Sequence, residues 1–166
     1  TMRMLHQLWY GRPLTSPLLW LAAPWFTDAL VNLIALRSRF IDDAMVEALC
    51  DGISQIVVVG AGMDFRSTRV PAAEVGSARQ VRYFELDFGG MHRAKARMLH
   101  VTQVPIPKNV SLIPIAADLS RDDARWREDL QAHGFSPSQP TLWILEGFTG
   151  YLEKEELHRV LALIQG

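Results

Sequence analysis

The sequence contains one cysteine, no excess of either charge and no long uninterrupted apolar run. The single cysteine, Cys50, excludes an internal disulfide bond, and we expect no metal site and a reducing, cytoplasmic compartment. Because Cys50 follows apolar residues at helical spacing, we expect it to pack in the core. The balance of 17 basic and 18 acidic residues gives no sign of a surface for nucleic acid.

The most apolar stretch, residues 18–36, is interrupted by Pro24, Asp28 and Asn32. A charge and an amide near the middle would be unfavourable in lipid, so we predict a buried or amphipathic helix and no membrane contact. Pro24 is the point at which this helix could be broken.

The rest of the 166 residues alternate between strand and helix patterns. Short apolar and β-branched runs predict four strands, at residues 56–59, 81–87, 110–116 and 141–145. Helical patterns occupy residues 18–36, 37–51, 64–70, 90–100, 122–133 and 153–164. This order predicts an α/β domain at residues 37–166, with a mainly parallel sheet and helices on both faces, preceded by a helical lead-in at residues 1–36.

The two ends of the chain predict a fragment of a longer protein. The chain begins at Thr1 and ends at Gly166, directly after the fourth strand and its helix. A parallel sheet of four strands is small, and its last strand would leave an exposed edge. We therefore expect the sheet to be truncated after the fourth strand.

Gly60 and Gly62 follow the first predicted strand directly. Glycines at this place let the backbone turn tightly and let a ligand approach closely. The third glycine of a dinucleotide fingerprint is absent, because position 65 is Phe65, and Asp64 places a carboxylate near the expected helix start. Since a carboxylate repels phosphate, the turn favours S-adenosylmethionine, a sulfonium without phosphate, over NAD. A tight turn without a ligand is the alternative.

The second predicted strand ends with two acidic residues, Glu85 and Asp87, on the same face. An acid at this tip can accept hydrogen bonds from both ribose hydroxyls of a nucleoside. Asp87 is the first candidate because it lies nearer the carboxyl end of the strand, and Glu85 is the second. A helix cap or a surface acid is the alternative interpretation.

Asp118 and Leu119 follow the third predicted strand. The Asp118 carboxylate could accept a hydrogen bond from an adenine amino group while Leu119 packs on the ring. Taken alone, a cap on a helix that begins near Ser120 explains Asp118 better.

Glu146 follows the fourth predicted strand, so its carboxylate is expected to be buried or at the mouth of a cleft and to need a partner. The partner is either the ammonium group of the ligand or a protein arginine. Arg37 and Arg39 could anchor a ligand carboxylate through paired hydrogen bonds. A solvated arginine is the alternative for both and the preferred one for Arg39.

Together these segments resemble the leucine carboxyl methyltransferase family over roughly residues 37–160. The segments that carry the resemblance are residues 37–43, 55–64 with Arg69, 83–88 with Lys95, 117–119, and 140–147 with Tyr151 and Leu152. The resemblance implies a Rossmann-like class I methyltransferase sheet that binds S-adenosylmethionine. It also implies transfer of the methyl group to an oxygen atom. The acceptor would be a carboxylate or another small or peptide acceptor.

The resemblance further implies a cofactor contact for each of six residues: Arg37 with the methionyl carboxylate, Gly60 against the cofactor, Asp87 with the ribose, Asp118 and Leu119 with the adenine, and Glu146 towards the methionyl end. The sequence departs from the family pattern where Gly89 stands in place of a common proline and Phe65 in place of threonine. The resemblance also leads us to expect that this chain lacks the C-terminal part, which in the family holds further strands and substrate-recognition segments.

The acceptor is expected to be a small molecule or the C-terminus of a protein. A carboxylate acceptor is already ionised at neutral pH and needs no base, whereas an alcohol would need one. Tyr151 lies in the right region but packing explains it as well, so no catalytic residue is assigned. Two alternatives stay open: a catalytically silent cofactor-binding fragment or interaction module, and, less favoured, an NAD-dependent oxidoreductase.

Overall fold

The computed structural model describes residues 17–70, 79–120, 125–147 and 149–165. The chain forms two compact units, Thr1–Phe40 and Ile41–Gly166. Helix α1 (Pro17–Cys50) begins in the first unit and ends in the second. It continues through Pro24, so the two predicted helices are one element. None of the described helices is long and apolar enough to cross a membrane.

Helix α1 ends in a glycine turn. Gly52 has a φ of 93°, a backbone conformation that favours glycine, and the amide of Ile53 donates to the carbonyl oxygen of Ala48 at 3.0 Å. Leu49 is fully buried, but Cys50 is exposed, so the prediction that Cys50 packs in the core is wrong. The reason is helical geometry, because one residue turns the side chain by roughly 100° around the axis.

Four parallel strands form one sheet in the order β3-β2-β1-β4: β1 (Gln55–Val59), β2 (Val81–Asp87), β3 (Val110–Ala116) and β4 (Leu142–Ile144). All five residues of β1 are buried, as expected for an apolar strand with a neighbour on each side. Strand β4 is shorter than predicted by one residue at each end. The predicted α/β class with a parallel sheet is confirmed.

Helices lie on both faces of this sheet: α1, α2 (Gly89–Thr102), α3 (Arg125–Ala132) and α4 (Lys154–Gln165). One face packs Tyr83 and Ile56 with Leu49 of α1, and the other packs Phe84 with Trp126 of α3 and Val160 of α4. The strand period of two residues divides the side chains of β2 between these two cores.

The helix predicted at residues 64–70 is only a 3-10 turn, Arg66–Thr68. The amides of Thr68 and Arg69 donate to the carbonyl oxygens of Phe65 and Arg66, three residues before them, and this tighter pattern occurs in short pieces and not in long helices. A second 3-10 turn covers Thr149–Tyr151. Residues 122–124 of another predicted helix lie outside the described residues.

Gln55 joins the start of β1 to the loop that precedes β4. Its side chain is fully buried and donates to the carbonyl oxygen of Ser136 at 3.0 Å and to the hydroxyl of Thr141 at 2.7 Å. Its amide oxygen accepts a hydrogen bond from the amide of Ser136 at 2.9 Å. One side chain therefore satisfies both backbone groups of Ser136.

We predict that Gln55→Leu lowers the free energy of unfolding by about 1–3 kcal/mol, because the two backbone groups of Ser136 lose their partner. Urea denaturation followed by circular dichroism measures the change. Gln131→Leu, at an exposed glutamine of α3, is the matched control and should change the free energy by less than about 0.5 kcal/mol. Equal effects of the two substitutions would contradict this role of Gln55.

Candidate functional site

The strand order reverses between β1 and β4, because β2 and β3 lie on one side of β1 and β4 lies on the other. In open parallel sheets, ligands bind in the crevice outside the carboxyl ends of the strands at such a reversal. The glycine turn after β1 and Glu146 after β4 flank this point. The candidate site is therefore the edge of the sheet at which the strands have their carboxyl ends, next to the reversal between β1 and β4.

The glycine turn is held against the end of β2. The amides of Gly60 and Ala61 donate to the carbonyl oxygen of Leu86 at 2.9 and 3.0 Å. Gly60 and Gly62 have φ values of 69° and 49°, a region in which other residues are strained. A Cβ added to Gly62 would meet no atom within 4 Å, so the turn faces open space there. A ligand can approach the backbone closely at this position.

Asp87 fixes the glycine turn through its carboxylate. One oxygen, Oδ2, accepts a hydrogen bond from the amide of Gly62 at 2.6 Å, and Oδ1 accepts one from the amide of Phe88 at 2.6 Å. The side chain is partly exposed at the tip of β2. Since each carboxylate oxygen accepts more than one hydrogen bond, Asp87 keeps acceptor capacity for a ligand.

Glu85 points into the protein and not towards the edge of the sheet. It is 1% exposed, and its Oε1 accepts a hydrogen bond from the Nζ of Lys95, itself buried, at 2.6 Å. Burial raises the pKa of the Glu85 carboxyl above its ordinary value, and Lys95 opposes this rise. The Nζ of Lys95 also lies 5.4 Å from the ring centre of Phe65. This geometry favours Asp87 over Glu85 for a ribose contact.

The end of β3 lies beside that of β2, because the amide of Ala117 donates to the carbonyl oxygen of Asp87 at 2.9 Å. The Oδ1 atom of Asp118 accepts hydrogen bonds from the hydroxyl of Ser120 at 2.6 Å and from its amide at 3.2 Å. Leu119 is buried within the core that faces α3 and α4. These local bonds fix the turn at Leu119 and Ser120, and the contact of Asp118 with adenine stays a prediction.

Arg66 lies at the centre of a buried ion network. It is 3% exposed, and three carboxylates surround its guanidinium group. Nε donates to Asp42 of α1 at 2.7 Å, while Nη1 lies 2.9 Å from Asp64 and 2.6 Å from Glu146. Arg69, which is half exposed, adds a second cation 3.0 Å from Asp42. Arg66 thereby connects α1, the turn after β1 and the segment after β4.

Burial lowers the pKa of the Arg66 guanidinium, but the charge of Asp64 and the hydrogen bonds to Glu146 and Asp42 outweigh it and raise the pKa above its ordinary value. The expected partner of Glu146 is thus a protein arginine, although neither Arg66 nor Asp42 was singled out from the sequence. Two features of the sequence could have indicated Arg66 as this partner: it lies two residues after Asp64, and Glu146 needs a cation.

The remaining residues considered from the sequence are Arg37, Arg39 and Tyr151. Arg37 and Arg39 belong to α1 within the first unit, so the contact of Arg37 with a ligand carboxylate stays a prediction. Tyr151 is 86% exposed, which does not match packing as its explanation. Among the described residues, no three histidine, cysteine or acidic side chains lie close enough together to hold a metal ion.

A cavity of about 220 Å³ lies elsewhere, between α3, α4 and the start of β4. Its lining includes Leu130, Trp143 and Leu163 and none of the residues predicted to bind a cofactor.

Comparison with known proteins identifies the family. A sequence model described as leucine carboxyl methyltransferase matches residues 13–165. The chain belongs to this family. The match covers the glycine turn and the acidic residues at the ends of β2, β3 and β4, so the predicted family is confirmed.

The curated relatives that match this chain are named as inferred S-adenosyl-L-methionine-dependent methyltransferases. One from Mycolicibacterium vanbaalenii is 37% identical over 80% of this chain and 41% of that protein. Another from Streptomyces avermitilis is 35% identical over 79% of this chain and 43% of that protein. The chain thus spans about two fifths of the length of these relatives.

Among solved structures, a DUF574 family protein from Streptomyces avermitilis is similar with a TM-score of 0.48 and 15% identity. The similarity covers 74% of this chain and 48% of that chain.

The buried pair of Lys95 and Glu85 generates a stability prediction for this family member. Lys95→Met should lower the free energy of unfolding by about 3–5 kcal/mol, because it leaves Glu85 buried without its cation. The double variant Lys95→Met with Glu85→Leu should recover most of that loss, since no buried charge remains. Urea denaturation measures both, and Lys108→Met, at an exposed lysine, is the control. Failure of the double variant to recover stability would mean that packing, and not the unpaired charge, causes the loss.

Proposed function

We propose that this chain forms the S-adenosylmethionine-binding part of a methyltransferase. The observation that carries the proposal is the Asp87 carboxylate at the carboxyl end of β2, bonded to the amide of Gly62 in the glycine turn. It stands in the crevice where a nucleoside ligand binds in sheets of this order. Membership of the leucine carboxyl methyltransferase family supports the same cofactor.

The nucleoside part of the cofactor is assigned to three segments. Asp87 would accept hydrogen bonds from the ribose hydroxyls, and the open space at Gly62, with Gly60 beside it, would let the ligand lie against the backbone. Asp118 would accept a hydrogen bond from the adenine amino group, with Leu119 beside the ring. The register of β2 and β3, which pairs Asp87 with Ala116, supports neighbouring ribose and adenine contacts.

The methionyl end is assigned to Glu146 and Arg37. The Glu146 carboxylate, at the other side of the strand reversal, would accept hydrogen bonds from the ligand ammonium group. Arg37 would bind the ligand carboxylate, as the family resemblance implies. The ends of the ligand would then meet groups of opposite charge to their own.

The charges at this edge of the sheet fit a cationic ligand better than a phosphate. The carboxylates of Asp64, Asp87 and Glu146 outnumber the guanidinium group of Arg66, which pairs with two of them, and the amide of Gly62 already donates to Asp87. Phe65 occupies the place of the third glycine that a pyrophosphate site needs. A sulfonium and an ammonium group are stabilised by nearby carboxylates, whereas a pyrophosphate is repelled. The residues present therefore fit S-adenosylmethionine.

When bound, S-adenosylmethionine supplies a methyl group on a sulfonium, which is already a good leaving group. The chain then contributes by orienting the ligand, which can supply a large part of a rate enhancement. We propose that the acceptor is a carboxylate or another oxygen nucleophile on a small molecule or a peptide. We also propose a cytoplasmic location for the protein. A carboxylate acceptor requires no general base, so no catalytic residue is assigned.

We predict that Asp87→Asn weakens the binding of S-adenosylhomocysteine by about tenfold or more, because hydrogen bonds from the ribose to a charged acceptor are lost. Isothermal titration calorimetry measures the dissociation constant. Asp51→Asn, at an exposed acid in the turn after α1, is the matched control and should leave the constant unchanged. Thermal unfolding of both variants separates loss of binding from loss of folding.

The same calorimetry tests the proposed cofactor itself. The unaltered protein should bind S-adenosylmethionine and S-adenosylhomocysteine and should not bind NAD. Binding of NAD alone would overturn the proposal, and binding of none of the three would favour a silent interaction module. An unchanged dissociation constant in Asp87→Asn would remove Asp87 from the ribose site.

A further inference from the structure

Arg66 connects the two sides of the crevice at the strand reversal. Asp64 belongs to the turn after β1, and Glu146 follows β4, on the other side of the reversal. The Nη1 atom of Arg66 lies within 3 Å of a carboxylate oxygen of each, at 2.9 and 2.6 Å. One nitrogen therefore fixes the separation of the two segments between which a ligand would lie.

The third ion pair fixes the orientation of the Arg66 guanidinium. Nε donates to Asp42 of α1 at 2.7 Å, so the plane of the group is held from a second direction. The planar fork of arginine can contact separate carboxylates at set angles, which the single ammonium group of lysine cannot reproduce. Burial of the fork, at 3% exposure, leaves little freedom for it to rotate.

Such a network is a weak source of net stability, because removing a guanidinium from water offsets most of the attraction to its partners. What a fully paired network does supply is one defined geometry, since each partner loses its hydrogen bond if a segment shifts. Glu146 is held in one place by its ion pair with Arg66 while its side chain stays 14% exposed. The side chain is thus not fully enclosed by the protein.

We propose that Arg66 is a positioning residue, which holds the Glu146 carboxylate in place to receive the ammonium group of the cofactor. This inference rests on the proposed function and assigns Arg66 no contact with the cofactor. Its effect should be confined to the amino-acid end of the ligand, because the ribose acceptor Asp87 is held by other bonds, from Gly62 and Phe88.

The test compares two ligands by calorimetry. S-adenosylhomocysteine carries the amino-acid end, whereas 5′-methylthioadenosine shares the adenosine and the thioether and lacks that end. Arg66→Lys should weaken binding of S-adenosylhomocysteine by roughly tenfold and leave binding of 5′-methylthioadenosine within about twofold. Arg125→Lys, at an exposed arginine of α3, is the control and should change neither constant.

A second variant tests whether Arg66 acts through Glu146. Glu146→Gln should weaken S-adenosylhomocysteine selectively, and adding Arg66→Lys to it should cause no further loss, because residues that act through one contact are not additive. Equal losses of affinity for the two ligands in Arg66→Lys would overturn the inference, and so would additive losses in the double variant. Unchanged binding of S-adenosylhomocysteine in Glu146→Gln would also overturn it, and this result does not depend on whether Arg66→Lys folds. If the unaltered protein binds neither ligand, the proposed function fails instead.

Discussion

The pairing of strand β1 with a neighbour on each side determines how the glycine turn, Asp87 and Glu146 lie relative to one another. Its five residues are buried, so β1 cannot shift by one position without exposing an apolar side chain or burying Gly60. With β1 fixed, β2 brings Asp87 to the glycine turn from one side, and β4 brings Glu146 to it from the other. The crevice is thus a consequence of sheet order, and its chemistry depends on the residues that follow each strand.

Two buried cations then fix the segments around the sheet. Lys95 joins α2 to β2 through Glu85, and Arg66 joins the turn after β1 to α1 and to the segment after β4. Ion pairs of this kind add little net stability compared with apolar packing. They do penalise any arrangement that separates the partners, because an unpaired charge in the interior is unfavourable. The apolar cores therefore provide the stability, and the ion pairs select one arrangement of the elements.

The sequence allowed the strands to be predicted more closely than the ion pairs. Strands β2 and β3 have the predicted bounds, since their apolar and β-branched residues leave a local pattern in the sequence. The acid at the tip of β2 and the need of Glu146 for a cation were also visible. Arg66 was not, because its partners come from three segments that only the tertiary structure brings together. The helix expected at residues 64–70 was wrong because the backbone there forms hydrogen bonds between residues three apart, from Thr68 to Phe65 and from Arg69 to Arg66, which is a 3-10 turn.

Methyl transfer from a sulfonium demands little chemical activation, so the position of the cofactor is the main variable that a protein can control. In this chain both proposed anchors are carboxylates that the protein itself holds, Asp87 by two backbone amides and Glu146 by Arg66. A carboxylate fixed before the ligand arrives loses little freedom on binding, which makes its hydrogen bond more favourable. The two anchors lie on opposite sides of the strand reversal, and this pair would set the direction in which the ligand extends along the crevice.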